Sequence, residues 1–212
     1  MDQPTVFVVA SNHDHSRLIA GMISSIDVAV RGHRSPEEFR ASYDSARPGC
    51  LVFEQLLAGM SGVGLHESLG HRDGLHPTII IATAQADVPQ AVSAVKHGVF
   101  DYLEFPLQPE RLWDAIAEAI ASDAKARLQI EQFREIEDRL ALLTHREREV
   151  LERVVQGLLN KEIASELGIS PRTVEVHRAH AVKKLGVGSV AQLVRLVLQH
   201  RITEHQPSQQ QP

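Results

Sequence analysis

The chain has 212 residues, 43% apolar and 23% charged, the balance of a globular protein with one large or two small domains. No apolar run approaches the roughly 20 residues of a membrane span, and the start MDQPTVFVVA lacks the basic stretch of a signal peptide. The single cysteine, Cys50, excludes an internal disulfide framework, so a reducing cytoplasm is expected, with Cys50 a buried small hydrophobe. The net charge of −5 is split: residues 1–139 carry 12 Lys+Arg against 20 Asp+Glu, and residues 140–212 carry 10 against 7. An acidic front and a mildly basic back point to two domains with different partners.

The front half alternates strands and helices. TVFVVA (5–10) reads as a buried strand and SRLIAGMISSI (16–26) as a helix, followed by a weak strand DVAVR (27–31). SPEEFRASY (35–43) opens with Ser35 as N-cap, Pro36 at the first helical position and Glu38 three after the cap. CLVFE (50–54) is a strand, VGLHESLG (63–70) a short helix, and PTIIIAT (77–83) a strand. DVPQAVSAVKHG (87–98) is a helix with Asp87 as cap, DYLEF (101–105) a strand, and a helix starts at Pro109. Five βα units imply a parallel sheet covered on both faces, of order 2-1-3-4-5, with function at the carboxyl ends of the strands. Those ends carry Ala10, Ser11, Glu54, Thr83 and Phe105.

From Pro109 to about Leu143 there is no proline or glycine. Apolar residues from Leu112 to Leu140 recur at three/four spacing, broken by Asp123 and Glu137, the pattern of a long helix that partly pairs with a second copy. The back half is helical. Thr144 and Glu147 form a capping box, NKEIASELG (160–168) is a short helix, SPRTVEVHRAHAVKKLG (170–186) a longer one, and Ser189 caps a fourth. TEHQPSQQQP (203–212) is a polar tail expected to be disordered. The tight LGIS turn (167–170) joins two helices as a helix-turn-helix. In the second of these, Val174, His177, Ala181 and Leu185 share an inner face; Arg172, Glu175, Val176, Ala179 and Lys183 share the outer one. Such a helix meets base edges with its amino-terminal half. Lys161, Arg172, Arg178, Lys183 and Lys184 are candidates for phosphates, Glu175 for a cytosine amino group and Val176 for a thymine methyl.

The stretch LTHREREVLERVVQGLLNKEIASELGISPRTVEVHRAHAVKKLGVGS resembles the LuxR/FixJ family of bacterial transcription regulators, through REREVL, NKEIA, L-G-I-S-x-R-T-V, V-H-R and KKLGV. The resemblance implies that Lys161, Arg172, Thr173, Glu175, Val176, His177, Ala179 and Lys184 lie at or near DNA, His177 as a semi-buried helper. It also implies that the helix 189–199 forms dimers. The front half resembles the receiver domain of response regulators over about 120 residues, through TVFVV, GCLV, GMSG, ADVPQAV and DYLE. A receiver of that family uses an aspartate that accepts a phosphoryl group, an acidic pair for Mg²⁺ after the first strand, a Thr/Ser after the fourth and a Lys after the fifth.

This chain departs from that pattern. The acidic pair is Ala10 and Ser11, the acceptor position is Glu54, the lysine position is Phe105, and Ala58 replaces the proline usual after the strand-three acid; Thr83 and Tyr102 agree. One carboxylate in place of three binds Mg²⁺ poorly, and the extra methylene of glutamate misplaces the acceptor oxygen. Asn12 and Asp14 substitute only if the first loop folds inward. Three readings of Glu54 stay open: an imitation of aspartyl phosphate, an inert residue in a scaffold switched by another signal, or a degenerate site still phosphorylated. Phe105 or its neighbours are expected to plug the old pocket. His13 and His15, in the first loop, are too few for a metal centre, and His66, His71, His76 and His97 read as surface residues.

The reading is α/β plus all-α: a receiver-like domain (1–121), a helical linker (122–142), a four-helix DNA-binding domain (143–202) and a tail (203–212). The expected function is a DNA-binding transcription regulator, neither enzyme nor membrane protein, with no cofactor and no metal. Expected partners are double-stranded DNA, a second copy through the linker and the helix 189–199, and RNA polymerase or another regulator. An adaptor that sequesters another regulator without touching DNA, and a conventional kinase-driven switch, are the alternatives.

Overall fold

The computed structural model describes residues 3–44, 47–55, 64–65, 77–85 and 87–205. The elements are β1 (Thr5–Val9), α1 (His13–Ile23), β2 (Ala29–His33), α2 (Pro36–Ser42), β3 (Gly49–Glu54), β4 (Thr78–Thr83), α3 (Val88–Lys96), β5 (Asp101–Glu104) and α4 (Pro109–Ala141). Four more helices follow: α5 (His145–Val155), α6 (Asn160–Leu167), α7 (Pro171–Lys184) and α8 (Val190–His205). The chain divides into two compact units, Met1–Leu128 and Gln129–Pro212; the division falls inside α4.

In the first unit the strands lie in the order β2-β1-β3-β4-β5 and every pair is parallel. Alternate side chains of the apolar strands go to opposite faces. Val6, Val8, Cys50, Val52, Ile80 and Ala82 meet α1 and α4 through Ile19, Ile23, Leu112 and Ile116. Phe7, Val9, Leu51, Phe53, Ile79 and Ile81 meet Phe39 of α2 and Ala94 of α3. Both faces are buried, which is why the strands are apolar without alternation. Cys50 is buried, and burial followed by the charge of Asp123 pushes its thiol up to about 12. Register places Val9 beside Phe53 and Glu54 beside Ala82, and β1 is flanked by β2 on one side and β3 on the other. The carboxyl ends of β1 and β3 thus stand side by side where the strand order reverses, the place at which such sheets open a crevice.

Several boundaries differ from the sequence expectation. Helix α1 begins at His13, three residues earlier than expected, because the Asn12 side chain accepts the N–H groups of Asp14 (2.9 Å) and His15 (3.4 Å). His13, Asp14 and His15 are thus the first helical turn and not loop residues. Strand β2 runs two residues later than DVAVR. Asp87 precedes α3 without a side-chain capping bond. Helix α8 extends to His205, into the stretch expected as tail. Of the helix expected over 63–70, residues 64–65 are helical and the rest lies outside the described residues, as do Ala58, GMSG, His66, His71, His76 and residues 206–212.

Asp123, which interrupts the apolar pattern of α4, is 3% exposed. Its Oδ2 accepts the N–H of Gly49 (2.9 Å) and the Nε–H of Arg127 (2.7 Å), and Arg127 also donates to the Arg47 carbonyl (2.8 Å). This polar residue pins the entry of β3 to the sheet-covering helix. Gly49 is required there: at φ +152° a Cβ would sit 1.9 Å from the Thr5 carbonyl oxygen. In the second unit, Val150, Leu151, Ile163, Val174, Ala181, Leu185, Leu193 and Val197 form one core. Phe133 of α4 stacks on His200 of α8, ring centroids 4.4 Å apart. Removing either partner of the β3 anchor has a calculable consequence. Asp123→Ala leaves the Gly49 amide and Arg127 without their acceptor and is expected to lower stability by about 3 kcal/mol in urea unfolding; Gly49→Ala is expected to lower it by about as much through the clash.

Candidate functional site

Two places in the chain gather polar side chains. The first is the crevice between β1 and β3. Glu54 ends β3 and its side chain, 13% exposed, bends back over the β1–α1 junction. Its Oε2 accepts the backbone N–H of Ser11 (3.0 Å) and of Asn12 (3.4 Å) and the Ser11 hydroxyl (3.4 Å). Its Oε1 lies 2.6 Å from His15 Nδ1. The anion therefore rests on amides at the amino end of α1, where the helix dipole favours negative charge. Phe105 stands at the position after β5. It stacks on His15, centroids 4.5 Å apart and planes 22° from parallel, and so backs the ring that meets the carboxylate.

Mg²⁺ takes several oxygen ligands in octahedral array, with one or two carboxylates among them. The donors here do not fit it. Ala10 offers no side-chain ligand, Asn12 is spent on capping α1, Asp14 is exposed, and both oxygens of Glu54 face N–H, O–H or imidazole groups. Among the described residues no group of three or more His, Cys, Asp or Glu side chains converges. Thr83, buried at the end of β4, exchanges hydrogen bonds with the Gln85 backbone (3.1 and 3.2 Å) and does not reach toward Glu54. The Tyr102 hydroxyl donates to Gln55, whose amide donates to Gln90 of α3 (2.6 Å). His97 is exposed, and its ring meets the Ser93 carbonyl (2.6 Å).

The second place is the α6–α7 pair. Gly168, at φ +64°, ends α6 in a left-handed turn that a side chain would strain, and Ser170 caps α7 by accepting the Thr173 N–H (3.0 Å). Val174, Ala181 and Leu185 are buried and His177 is half-buried, which turns Arg172, Glu175, Val176, Ala179 and Lys183 outward. Lys161, on α6, is exposed as well. Arg172 is paired loosely with Glu175 (3.4 Å), and the Thr173 hydroxyl bonds that of Ser170 (2.8 Å). Arg178 is half-buried and donates to the Asn160 side chain, bracing α7 against α6.

Lys184 is not part of the outer face. Its ammonium donates to Glu147 Oε2 (2.6 Å) and to the Leu142 carbonyl (3.1 Å), so it ties the end of α7 to the start of α5 and to the residue just after α4. Glu147 is 3% exposed and also closes the capping box with Thr144. Burial pushes its carboxyl up, but the bond from Lys184, the Thr144 donors and the lysine charge outweigh burial and hold it at about 2. His180 Nδ1 stands 3.7 Å away.

Comparison with known proteins finds a match for each of the two units. A family model described as "Response regulator receiver domain" matches residues 6–117, and one described as "Bacterial regulatory proteins, luxR family" matches residues 141–197. The transcriptional regulatory protein FixJ of Rhizobium meliloti (strain 1021) is 39% identical over 198 residues, covering 93% of this chain and 97% of FixJ. This chain belongs to the NarL/FixJ family of response regulators. Another relative is the C4-dicarboxylate transport transcriptional regulatory protein DctR of Rhodobacter capsulatus, 37% identical over 91% of this chain and 98% of DctR. Among solved structures, the response regulator StyR superposes with a TM-score of 0.81 at 36% identity, over 93% of this chain and all of StyR. Full-length FixJ from B. japonicum does so at 0.55 and 30% identity, over 95% and 99% of the two chains. As a member of the family, the chain is a DNA-binding transcription regulator with a receiver unit and a LuxR-type helix-turn-helix unit. No described helix is long and apolar enough to cross a membrane.

Sequence reasoning missed two residues in this response regulator. Apolar periodicity alone puts His15 in a loop, although Asn12 with Asp14 two residues on signals a helix start that makes His15 the third helical residue. Glu147 was read only as a capping residue; nothing in its local sequence announces Lys184, 37 positions away. The pair makes a pH-dependent prediction. Lys184→Met is expected to lower the stability of the helix-turn-helix unit by about 1.5–3 kcal/mol at neutral pH. Because the Glu147 carboxyl is depressed in the folded state, its contribution is full above its ordinary value of 4.5 and fades as pH falls toward about 2. The gap between wild type and variant in thermal unfolding should close over that interval.

Proposed function

We propose that this response regulator binds DNA through α7 while its receiver unit works without aspartyl phosphate. The observation that carries the reading is the occupancy of Glu54: both carboxylate oxygens are met by Ser11, Asn12 and His15 of the same chain. Phosphoryl transfer to a carboxylate needs a cation held by several oxygens and positive charge to receive the phosphoryl oxygens. Ala10, Ser11 and Phe105 supply neither. Of the three readings of Glu54, a scaffold switched by another signal fits these contacts best. An imitation of aspartyl phosphate would keep a lysine to receive the charge, and Phe105 stands in its place.

Dimerisation completes the reading, since related half-sites need paired reading helices. Leu198 of α8 and Leu128 of the linker are exposed, and Val88, Val92 and Val95 form an exposed apolar stripe on α3 at helical spacing. RNA polymerase is the partner through which a bound regulator would act. The adaptor alternative draws on one feature, the Arg172–Glu175 pair that mutes charge on the outer face of α7.

Two measurements test these points. Incubation with acetyl phosphate and Mg²⁺ should leave the intact mass unchanged, and a phosphoryl adduct on Glu54 would restore the kinase-driven reading. Gel retardation across a salt series should show affinity falling steeply with salt, each of Lys161→Ala, Arg172→Ala and Lys183→Ala lowering the slope by about one. Failure to retard any DNA even at low salt would favour the adaptor.

A further inference from the structure

His33 ends β2 and is 9% exposed, yet both of its ring nitrogens lack a hydrogen-bond partner among the described residues. The ring lies in an aromatic box: Phe7 of β1 is 6.2 Å away and stacked, Phe39 of α2 is 5.5 Å away edge-on, and Tyr43 packs on both phenylalanines. Strand β1 presents the Phe7 ring and α2 presents Phe39; the charged groups that act on the ring are Glu38 of α2, whose Oε2 accepts the Arg34 N–H (2.7 Å), and Arg31 of its own strand. Burial, the largest influence, lowers the imidazole below the ordinary 6.5; Glu38 acts in the opposite direction and Arg31 in the same one.

The backbone of His33 is joined to the Glu54 crevice. Its carbonyl accepts the Ala10 N–H (3.1 Å), and Val9 is its register partner on β1. Ala10 is followed by Ser11 and Asn12, whose amides hold Glu54. A protonated imidazole carries two N–H donors, and this box offers neither of them an acceptor. Relief comes when the ring leaves the box, which stands at the end of an edge strand whose outer side pairs with no other strand of the sheet.

We propose that His33 is a proton-driven release for the β1–α1 junction: on acidification its ring leaves the Phe7–Phe39 box, the end of β2 separates from Ala10, and the Ser11 and Asn12 amides loosen their hold on Glu54. This deepens the reading above, because it names a signal for a receiver that is not phosphorylated, and it rests on that reading for its regulatory meaning. Stability follows the same sign. The unfolded chain binds the proton near 6.5 and the folded chain only at lower pH, so stability is full above 6.5 and declines as pH falls below it.

Hydrogen exchange on the full chain, at one pH above and one below 6.5 and corrected for intrinsic rates, tests the release. In the wild type, amides of residues 10–12 and 29–33 should exchange about tenfold faster on the acid side. In His33→Phe, which keeps an apolar ring in the box, they should not. An equal response in His33→Phe, or none in the wild type, overturns the proposal. Should that variant fail to fold, the imidazole NMR titration of wild-type His33 decides. Protonation at lower pH than a free histidine, in step with the loss of amide protection, supports the release; titration like a free histidine with those amides unchanged overturns it. The acetyl phosphate experiment is separate: an adduct on Glu54 removes the reading of the crevice without altering what exchange reports about His33.

Discussion

The contact between the Glu54 carboxylate and the amino end of α1 organises the receiver unit. A carboxylate at the end of a buried strand needs compensation, either from a cation or from donors of its own chain. Here Ser11 and Asn12 amides and the His15 ring supply it. That choice decides the rest of the crevice. The Asn12 cap starts α1 at His13 and so places His15 in the first turn, within reach of Glu54. Phe105 then stacks on His15, and Thr83 turns to its own backbone.

The two units use buried charge in the same manner. Asp123 collects the Gly49 amide and Arg127; Glu147 collects Lys184 and the Thr144 cap. Each is almost fully buried and each joins segments far apart in sequence. Removing one partner of such a group leaves an uncompensated charge, so these acids hold the geometry of their units more strictly than their number suggests. In the helix-turn-helix unit Lys184 is withdrawn to the base of α7, which leaves Lys161, Arg172 and Lys183 as exposed cations of the α6–α7 pair.

His33 belongs to a different class of buried group, one whose ring nitrogens have no hydrogen-bond partner among the described residues. Burial in an aromatic box favours its neutral form over its charged one. Whatever loosens that corner acts on Ala10 and, through two peptide bonds, on the amides beneath Glu54. The crevice is thus held from two sides, by α1 and by the edge of the sheet.

Sequence alone determined the alternation of strands and helices, the 2-1-3-4-5 sheet, the long α4, the Thr144–Glu147 capping box and the helix-turn-helix; Ser35 caps α2 as expected, but the Glu38 carboxylate turns to the Arg34 N–H rather than to Ser35. These rest on local signals: runs of β-branched residues, three/four periodicity, caps and a glycine turn. It also located Glu54, Ala10, Ser11 and Phe105 together, because strand ends in a parallel sheet share one edge. Only the tertiary structure decided what compensates each buried acid. Glu54 with His15, Asp123 with Gly49, and Glu147 with Lys184 are separated by 39, 74 and 37 positions. No periodicity or propensity encodes such a pairing, since it follows from which side chains packing brings within hydrogen-bonding reach. Lys184 shows the limit most plainly: on sequence it is one more cation on a helix of the DNA-binding unit, and only the fold turns it toward Glu147.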